Sequence, residues 1–268
     1  MRPCPPRQSR LDLVAAWDGV LQVRIEALAR LNAIDPLEVF TLFHAQVIRA
    51  GQVVASVKVA PHLVAERAVA EGEAVACGAA PLVDVRPYLA LDVAAIAHER
   101  LGSGGLARFE AGARLKVEAL GSRFLGVESI EDSEPDDDER HVARVLRELV
   151  DERRIPLILV GGVSAGDPIS PFFAALESVG GRVLRRGVPA HPGSMIWLAE
   201  LGATRLLGLP SCGMFSMATA ADLVLPRLLT GEPIGPAAIA DLGHGGLLGP
   251  EMRFRFPDYA RGLEAPEG

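Results

Sequence analysis

Cysteine is scarce in this 268-residue chain, which has three: Cys4, Cys77 and Cys212. An odd number without metal-type spacing points away from a zinc site and suits reduced thiols in a cytosol. Nowhere do about 18 apolar residues run together, so no membrane-spanning helix is expected. The opening stretch MRPCPPRQSRLDLV has neither an apolar run of signal-peptide length nor a small-residue cleavage cue, and a cytoplasmic location is the expectation. Excess positive charge is also missing, with 27 Lys and Arg against 34 Asp and Glu, a net charge of −7. A nucleic-acid protein normally carries a basic face, so that class is set aside, although a local basic cleft is compatible with any net charge. No repeat of fixed period is visible. What is present is ordinary: 49% hydrophobic and 23% charged residues, the values of a chain that buries a core rather than staying disordered.

The chain reads as three stretches. Residues 1–87 form an N-terminal α+β region. In it, Leu13, Trp17, Val20, Leu21, Arg24 and Leu28 fall on one stripe and predict a helix from Leu11 to Leu31. Asp35-Pro36 reads as a helix N-cap with proline in the first turn. TLFHAQVI, a turn at Ala50-Gly51 and VVASVKVA follow, the last alternating with period two, so that a hairpin is expected. A short helix is predicted over about 62–75. This region holds no cluster of chemistry.

Residues 88–230 alternate strands and helices. Strands are predicted at 89–97, 123–130, 155–160, 181–188, 194–201 and 204–210, with helical runs at about 107–120, 138–151, 171–179 and 215–229. Strands separated by helices of this length predict a three-layer α/β/α domain with a mostly parallel sheet. IPLILV, unbroken and apolar, suits a central strand buried on both faces. Residues 231–268 form a C-terminal extension that reads as extended or loop-rich.

The most informative segment is LILVGGVSAGDPISPFFAALESVGG, 157–181. A buried strand ends at Val160. A loop with Gly161, Gly162 and Gly166 follows, and a helix begins near Pro171 with Ser170 as its N-cap and Gly180 near its end. Free N–H groups and a helix N-terminus then lie at the carboxyl edge of the sheet, where α/β proteins bind ligands and where anions are favoured. A tight turn without a ligand accounts for a single such loop equally well. The segment is neither GxxxxGK[ST] nor GxGxxG. Two more loops, VPAHPGSM (188–195) and GLPSCGMFSM (208–217), also combine proline and glycine, which fixes an irregular backbone that exposes amides. Three loops on one sheet strengthen the ligand reading.

GGVSAGD, HPGS and GLPSCG, in this order, resemble the GGVSxGD, PGKP and GLPGNP signatures of the molybdopterin-binding domain. That domain occurs in molybdopterin molybdotransferases, molybdopterin adenylyltransferases and, more distantly, competence-damage-type nucleotide-processing proteins. The resemblance covers about 88–230. It implies that Gly161, Gly162, Ser164, Gly166, Asp167, Pro192, Gly193, Ser194, Pro210, Ser211, Cys212 and Gly213 face molybdopterin, the molybdenum cofactor or a nucleotide form of the pterin phosphate. It also implies a homo-oligomer, a role in molybdenum cofactor biosynthesis or delivery, and a molybdoenzyme or cofactor-assembly protein as partner. The pattern departs at its charged positions. Ser194 stands for the PGKP lysine and Cys212 for the asparagine of GLPGNP. Ile169 or Ser170 and Phe172 or Phe173 fall where a second acid and a lysine are usual, and Ala97-His98-Glu99-Arg100-Leu101 replaces a TGDEL-like turn. Losing lysine removes a point charge for a phosphate. A shortened relative that binds or delivers the cofactor therefore fits better than a transferase. The alternatives are an active molybdotransferase or adenylyltransferase using magnesium, a nucleotide-processing enzyme, and a ligand-free assembly module whose loops lie apart or are plugged by Phe172, Phe173 or Met214.

Single residues also have plainer readings. Cys212 is read as a packing residue before a molybdenum contact, and His191 as a loop histidine before a proton donor. Arg185 and Arg186 are solvated, or one of them faces an anion. Asp167 is a turn residue or a metal ligand, with neither favoured. The acidic run EDSEPDDDE, 131–139, reads as a solvated helix entrance rather than a metal site.

Overall fold

The computed structural model describes residues 1–3, 10–99, 101–130, 135–167, 169–215 and 217–263. Cys4, Arg100, residues 131–134 of the acidic run and Ser216 lie outside the described residues. The chain divides into two compact units, Met1–Tyr88 and Leu89–Gly268.

The first unit contains β1 (Arg2–Pro3), β2 (Arg10–Val14), β3 (Gly19–Val23), α1 (Ile25–Asn32), β4 (Leu37–Thr41), β5 (Val47–Ile48), β6 (Val53–Val59), α2 (Glu66–Gly78) and β7 (Val83–Pro87). They make two antiparallel sheets, ordered β1-β2-β6-β4 and β5-β3-β7. Leu21, Ile48, Val54 and Val85 form the centre of its core.

The helix expected over Leu11–Leu31 is not there. Its place is taken by β2, β3 and the shorter α1, because ladder pairing with β6 and β7 overrides a weak helical stripe. Asp18 marks the break: its carboxylate accepts the Ala50 N–H at 2.8 Å and the Arg49 guanidinium at 3.0 Å. The Ala50 N–H and then Arg49 hold that carboxyl below the usual carboxylate range. Asp35-Pro36 opens no helix either. It is a cis turn that leads into β4. The expected hairpin is absent because β5 and β6 belong to different sheets.

The second unit contains β8 (Asp92–Ala97), α3 (Gly102–Glu118), β9 (Arg123–Ser129), α4 (Pro135–Arg147), β10 (Leu157–Gly161), α5 (Pro171–Ser178), β11 (Arg182–Arg186), β12 (Trp197–Leu201), β13 (Thr204–Gly208), α6 (Ala221–Leu228), α7 (Pro236–Ala240) and α8 (Asp258–Arg261). A π-helical turn, Glu148–Glu152, extends α4. The sheet order is β11-β12-β13-β10-β8-β9, and only β12 runs against the others. All five residues of β10 are buried, as an apolar run between β13 and β8 requires.

Helices cover both faces. Against one, α4 and α5 pack Leu146, Leu149, Phe172 and Phe173 onto Ile96, Ile158, Val160 and Trp197. Against the other lie α3 and α6, joined by an ion pair between Lys116 and Asp222. The expected three-layer architecture is therefore the one present. α5 starts on Ser170 and Pro171 and ends as the sequence indicates. Gly180, at φ +88°, donates to Glu177 O at 3.0 Å and Gly181 to Leu176 O at 2.8 Å, the two bonds of a Schellman motif. The C-terminal stretch, expected to be extended or loop-rich, instead folds into α7, α8 and short 3-10 turns. It buries Phe256 and Ala260 within the second unit, where apolar contact offsets its many turn residues.

Across β11, β12 and β13, Glu200 on β12 is clamped between Arg182 and Arg205. The hydrogen bond from Arg182, then that from Arg205, pulls its carboxyl below the ordinary value of 4.5. A depressed carboxylate contributes stability that is complete above its unfolded pKa and fades as pH falls through the lower folded value. Glu200→Gln is therefore expected to narrow its stability deficit to wild type between pH 7 and pH 3. Urea midpoints at the two pH values read this difference. It will be small, because the Arg182 side chain is 72% exposed.

Candidate functional site

The carboxyl ends of β8, β10 and β13 share one edge of the sheet, since these strands are parallel. The 187–196 loop reaches the same edge, because it joins the end of β11 to the start of the reversed β12. All three predicted loops therefore meet there. In the first loop, Ala165 N–H donates to Met195 O of the second at 3.3 Å. In the second, Pro192 O accepts Ala220 N–H, beyond the third loop, at 2.8 Å. Between first and third, Met214 covers the Gly161 backbone so closely that a Cβ on Gly161 would lie 3.0 Å from its sulfur.

Within the first loop the residues divide by role. Ser164 and Asp167 are exposed and make local turns. Ser164 Oγ accepts Gly166 N–H at 3.2 Å, and Asp167 Oδ1 accepts Ile169 N–H at 3.1 Å. Asp167 thus has the geometry of its turn-residue reading. The N–H groups of Gly162, Val163 and Ser164 meet no acceptor among the described residues. Arg186 flanks this loop: its guanidinium lies over the Phe173 ring at 3.8 Å and donates to Asp167 O at 3.3 Å.

Glycine is demanded at several positions by the protein itself. A Cβ on Gly162 (φ +83°) would stand 2.6 Å from His98 O, and one on Gly193 (φ +102°) 2.8 Å from Ala220 N. On Gly213 it would stand 2.8 Å from Thr219 Oγ1. Gly166 alone of the predicted glycines has only loose neighbours, Ser164 Oγ at 3.5 Å and Met195 Sδ at 3.8 Å. Pro192, Gly193, Pro210 and Gly213 are buried frame. Ser194 and Cys212 are half-buried, and Ser211 is exposed as the first residue of a 3-10 turn, Ser211–Met214, in which the Gly213 and Met214 N–H groups donate to Pro210 O. Phe172 and Phe173 do not plug the loops, being buried in the core with Trp197, whereas Met214, the third residue of that alternative, is buried between the first and third loops and closes over Gly161.

Four features of this edge were not found by reading the sequence. Trp197 Nε1–H donates to Val163 O at 2.9 Å and so ties the first loop to β12. Its indole lies over β13 at Gly208, where a Cβ would collide with it. Lys116 and Asp222, 2% and 0% exposed, pair at 2.5 Å. Asp222 Oδ2 also accepts the Thr219 N–H at 2.9 Å, and Thr219 Oγ1 accepts Ala221 N–H at 3.3 Å, a reciprocal cap on α6. The turn after β8 runs into Gly102, Ser103, Gly104 and Gly105 at the start of α3, a fourth glycine-rich segment on this edge.

Finally, His98 Nε2 meets both oxygens of Asp138, at 3.1 and 3.0 Å, and the pair is buried. Asp138 corrects the reading of its acidic run as wholly solvated: a histidine at the end of β8 supplies a partner that only the fold brings near. The other described carboxylates of the run, Asp137 and Glu139, are not buried. Among the described residues no three His, Cys, Asp or Glu side chains gather as a metal would need. None of the described helices is long and apolar enough to cross a membrane.

Set against known proteins, the fold is similar to two solved molybdopterin biosynthesis proteins. One is the enzyme MoaB from Thermus thermophilus, at 20% identity and a TM-score of 0.36, over 53% of this chain and 98% of that one. The other is the MoeA protein from Pyrococcus horikoshii, at 14% identity and a TM-score of 0.38, over 81% of this chain and 68% of that one. No family model matches the chain, and no curated protein matches its sequence.

Proposed function

We propose that the second unit binds the phosphate-bearing end of molybdopterin, or of a nucleotide form of it, and that the protein serves in assembly or delivery of the molybdenum cofactor. The observation that carries this reading is the meeting of three loops at one sheet edge, where the Gly162, Val163 and Ser164 amides have no acceptor among the described residues. The GGVSAGD, HPGS and GLPSCG signatures supply the ligand class. The donor set suits a phosphate: backbone amides, the hydroxyls of Ser164, Ser194 and Ser211, and the Arg186 guanidinium at the rim. Gly161, Pro192, Pro210 and Gly213 act as frame in this account, and Cys212 lines the third loop.

Carriage rather than catalysis is favoured by what the charged positions hold. Ser194 offers no cation, and Asp167 spends one carboxylate oxygen on its own turn. Anaerobic titration of the purified chain with molybdopterin tests this. Binding at micromolar concentration, equal with and without magnesium, is expected, and no conversion when molybdate is added. Molybdate-dependent turnover that Asp167→Ala abolishes would replace carriage by a transferase. Absence of binding would remove the pterin altogether.

A further inference from the structure

Two stretches of the C-terminal extension hold loops of the proposed site. His191 of the second loop forms a parallel bridge with Leu247. Its N–H donates to Gly246 O at 2.7 Å, and its carbonyl accepts Leu248 N–H at 2.8 Å. Arg255 Nη1 donates to Gly245 O at 2.5 Å, pinning that bridge to the 3-10 turn Pro250–Arg255. Further on, the Tyr259 hydroxyl on α8 donates to Asp222 Oδ1 at 2.9 Å. Asp222 is the carboxylate that also holds Lys116 and the Thr219 N–H. Thr219 and Ala220 are in turn the residues against which Gly193 of the second loop closes.

We propose that residues 243–261 form a strap that sets the second and third loops in their ligand-receiving arrangement, anchored at His191 and at Asp222. Tyr259 is a positioning residue in this account: it acts on the loops through its bond to Asp222. The functional half of the idea rests on the reading of the site given above. The mechanical half does not, since hydrogen bonds between strap and loops exist whatever the ligand.

Gly246 offers a local way to lift the strap. A Cβ there would lie 2.7 Å from Leu242 O and would collide with Pro189 O. Tyr259→Phe is gentler, removing one hydroxyl while keeping the ring beside Lys116. Hydrogen exchange on the full chain, resolved by segment, is the measurement. Gly246→Ala is expected to speed exchange over 187–196, and Tyr259→Phe over 209–219, each by about tenfold, with β10 and α4 at wild-type rates.

Molybdopterin affinity should fall about tenfold in the double variant, although neither change removes a serine hydroxyl or amide assigned to the ligand. Loop exchange at wild-type rates in the double variant overturns the strap. So does acceleration shared equally by β10, which marks general destabilisation. If the wild-type chain binds no molybdopterin while the loops of the variants do exchange faster, the strap stands and the pterin reading falls.

Discussion

Asp222→Ala is expected to lower the stability of the second unit by about 3–5 kcal/mol, because it strands Lys116 without a counter-charge where no water reaches. The Lys116 side chain is 2% exposed and Asp222 is fully buried. In a unit of this size such a loss lowers Tm by roughly 10 °C. Lys116→Met is also expected to destabilise, since Asp222 then keeps only the Tyr259 hydroxyl and the Thr219 N–H. Replacing both, as Lys116→Met with Asp222→Leu, should recover much of the loss, because no charge is then buried. The double variant must therefore cost less than its own single variants, Lys116→Met and Asp222→Leu, added together. Strict additivity in urea unfolding, with each single change costing under about 1 kcal/mol, would show that the pair is not coupled. Ligand binding should remain impaired in the recovered double variant, for α6 has lost the carboxylate that caps it through Thr219.

Trp197 carries the second large effect. It fills the core between Phe172 and Phe173, with ring centroids at 5.5 and 5.1 Å, and its Nε1–H satisfies Val163 O. Trp197→Ala is expected to cost about 3–5 kcal/mol through lost contacts and the cavity left behind. Trp197→Phe separates the two roles. It keeps most of the apolar contact but leaves a buried carbonyl unpaired, at a cost of about 1–3 kcal/mol. Because that carbonyl belongs to the first loop, Trp197→Phe should weaken ligand binding more than a core change of equal stability cost elsewhere, such as Leu149→Ala in the far part of the same cluster. Equal effects on binding at matched stability would show that Val163 O needs no anchor.

The second unit was largely legible in the sequence because its signals are local. Buried strands write themselves as runs such as LILVG, and α5 carries its own start in Ser170-Pro171 and stop in Gly180-Gly181. Six strands and the three glycine- and proline-bearing loops follow from such marks. The first unit was misread where a weak stripe through Leu13, Trp17 and Val20 suggested a helix. Pairing partners 39 to 68 residues away decide that segment, and no local pattern encodes them.

The anchors of the loops were missed for a similar reason, although two left a trace. Lys116 falls on the buried stripe of α3 with Phe109 and Ala113, and Asp222 sits in the wholly buried run ADLVLPRL. A charge on an apolar face asks for a partner, and here the two answer each other across 106 residues. The Trp197 bond to Val163 O and the strap bridge at His191 involve backbone carbonyls, which leave no mark in a sequence at all.

The central claim is that ligand phosphate is received by main-chain amides at the edge of the sheet, and amide-resolved NMR of the labelled chain under titration with molybdopterin tests it most directly. The account predicts the largest shifts at Gly162, Val163 and Ser164, with smaller ones at Ser194, Ser211 and Cys212, and reversal by excess inorganic phosphate. Shifts confined to other surfaces, or none at saturating ligand, would contradict it.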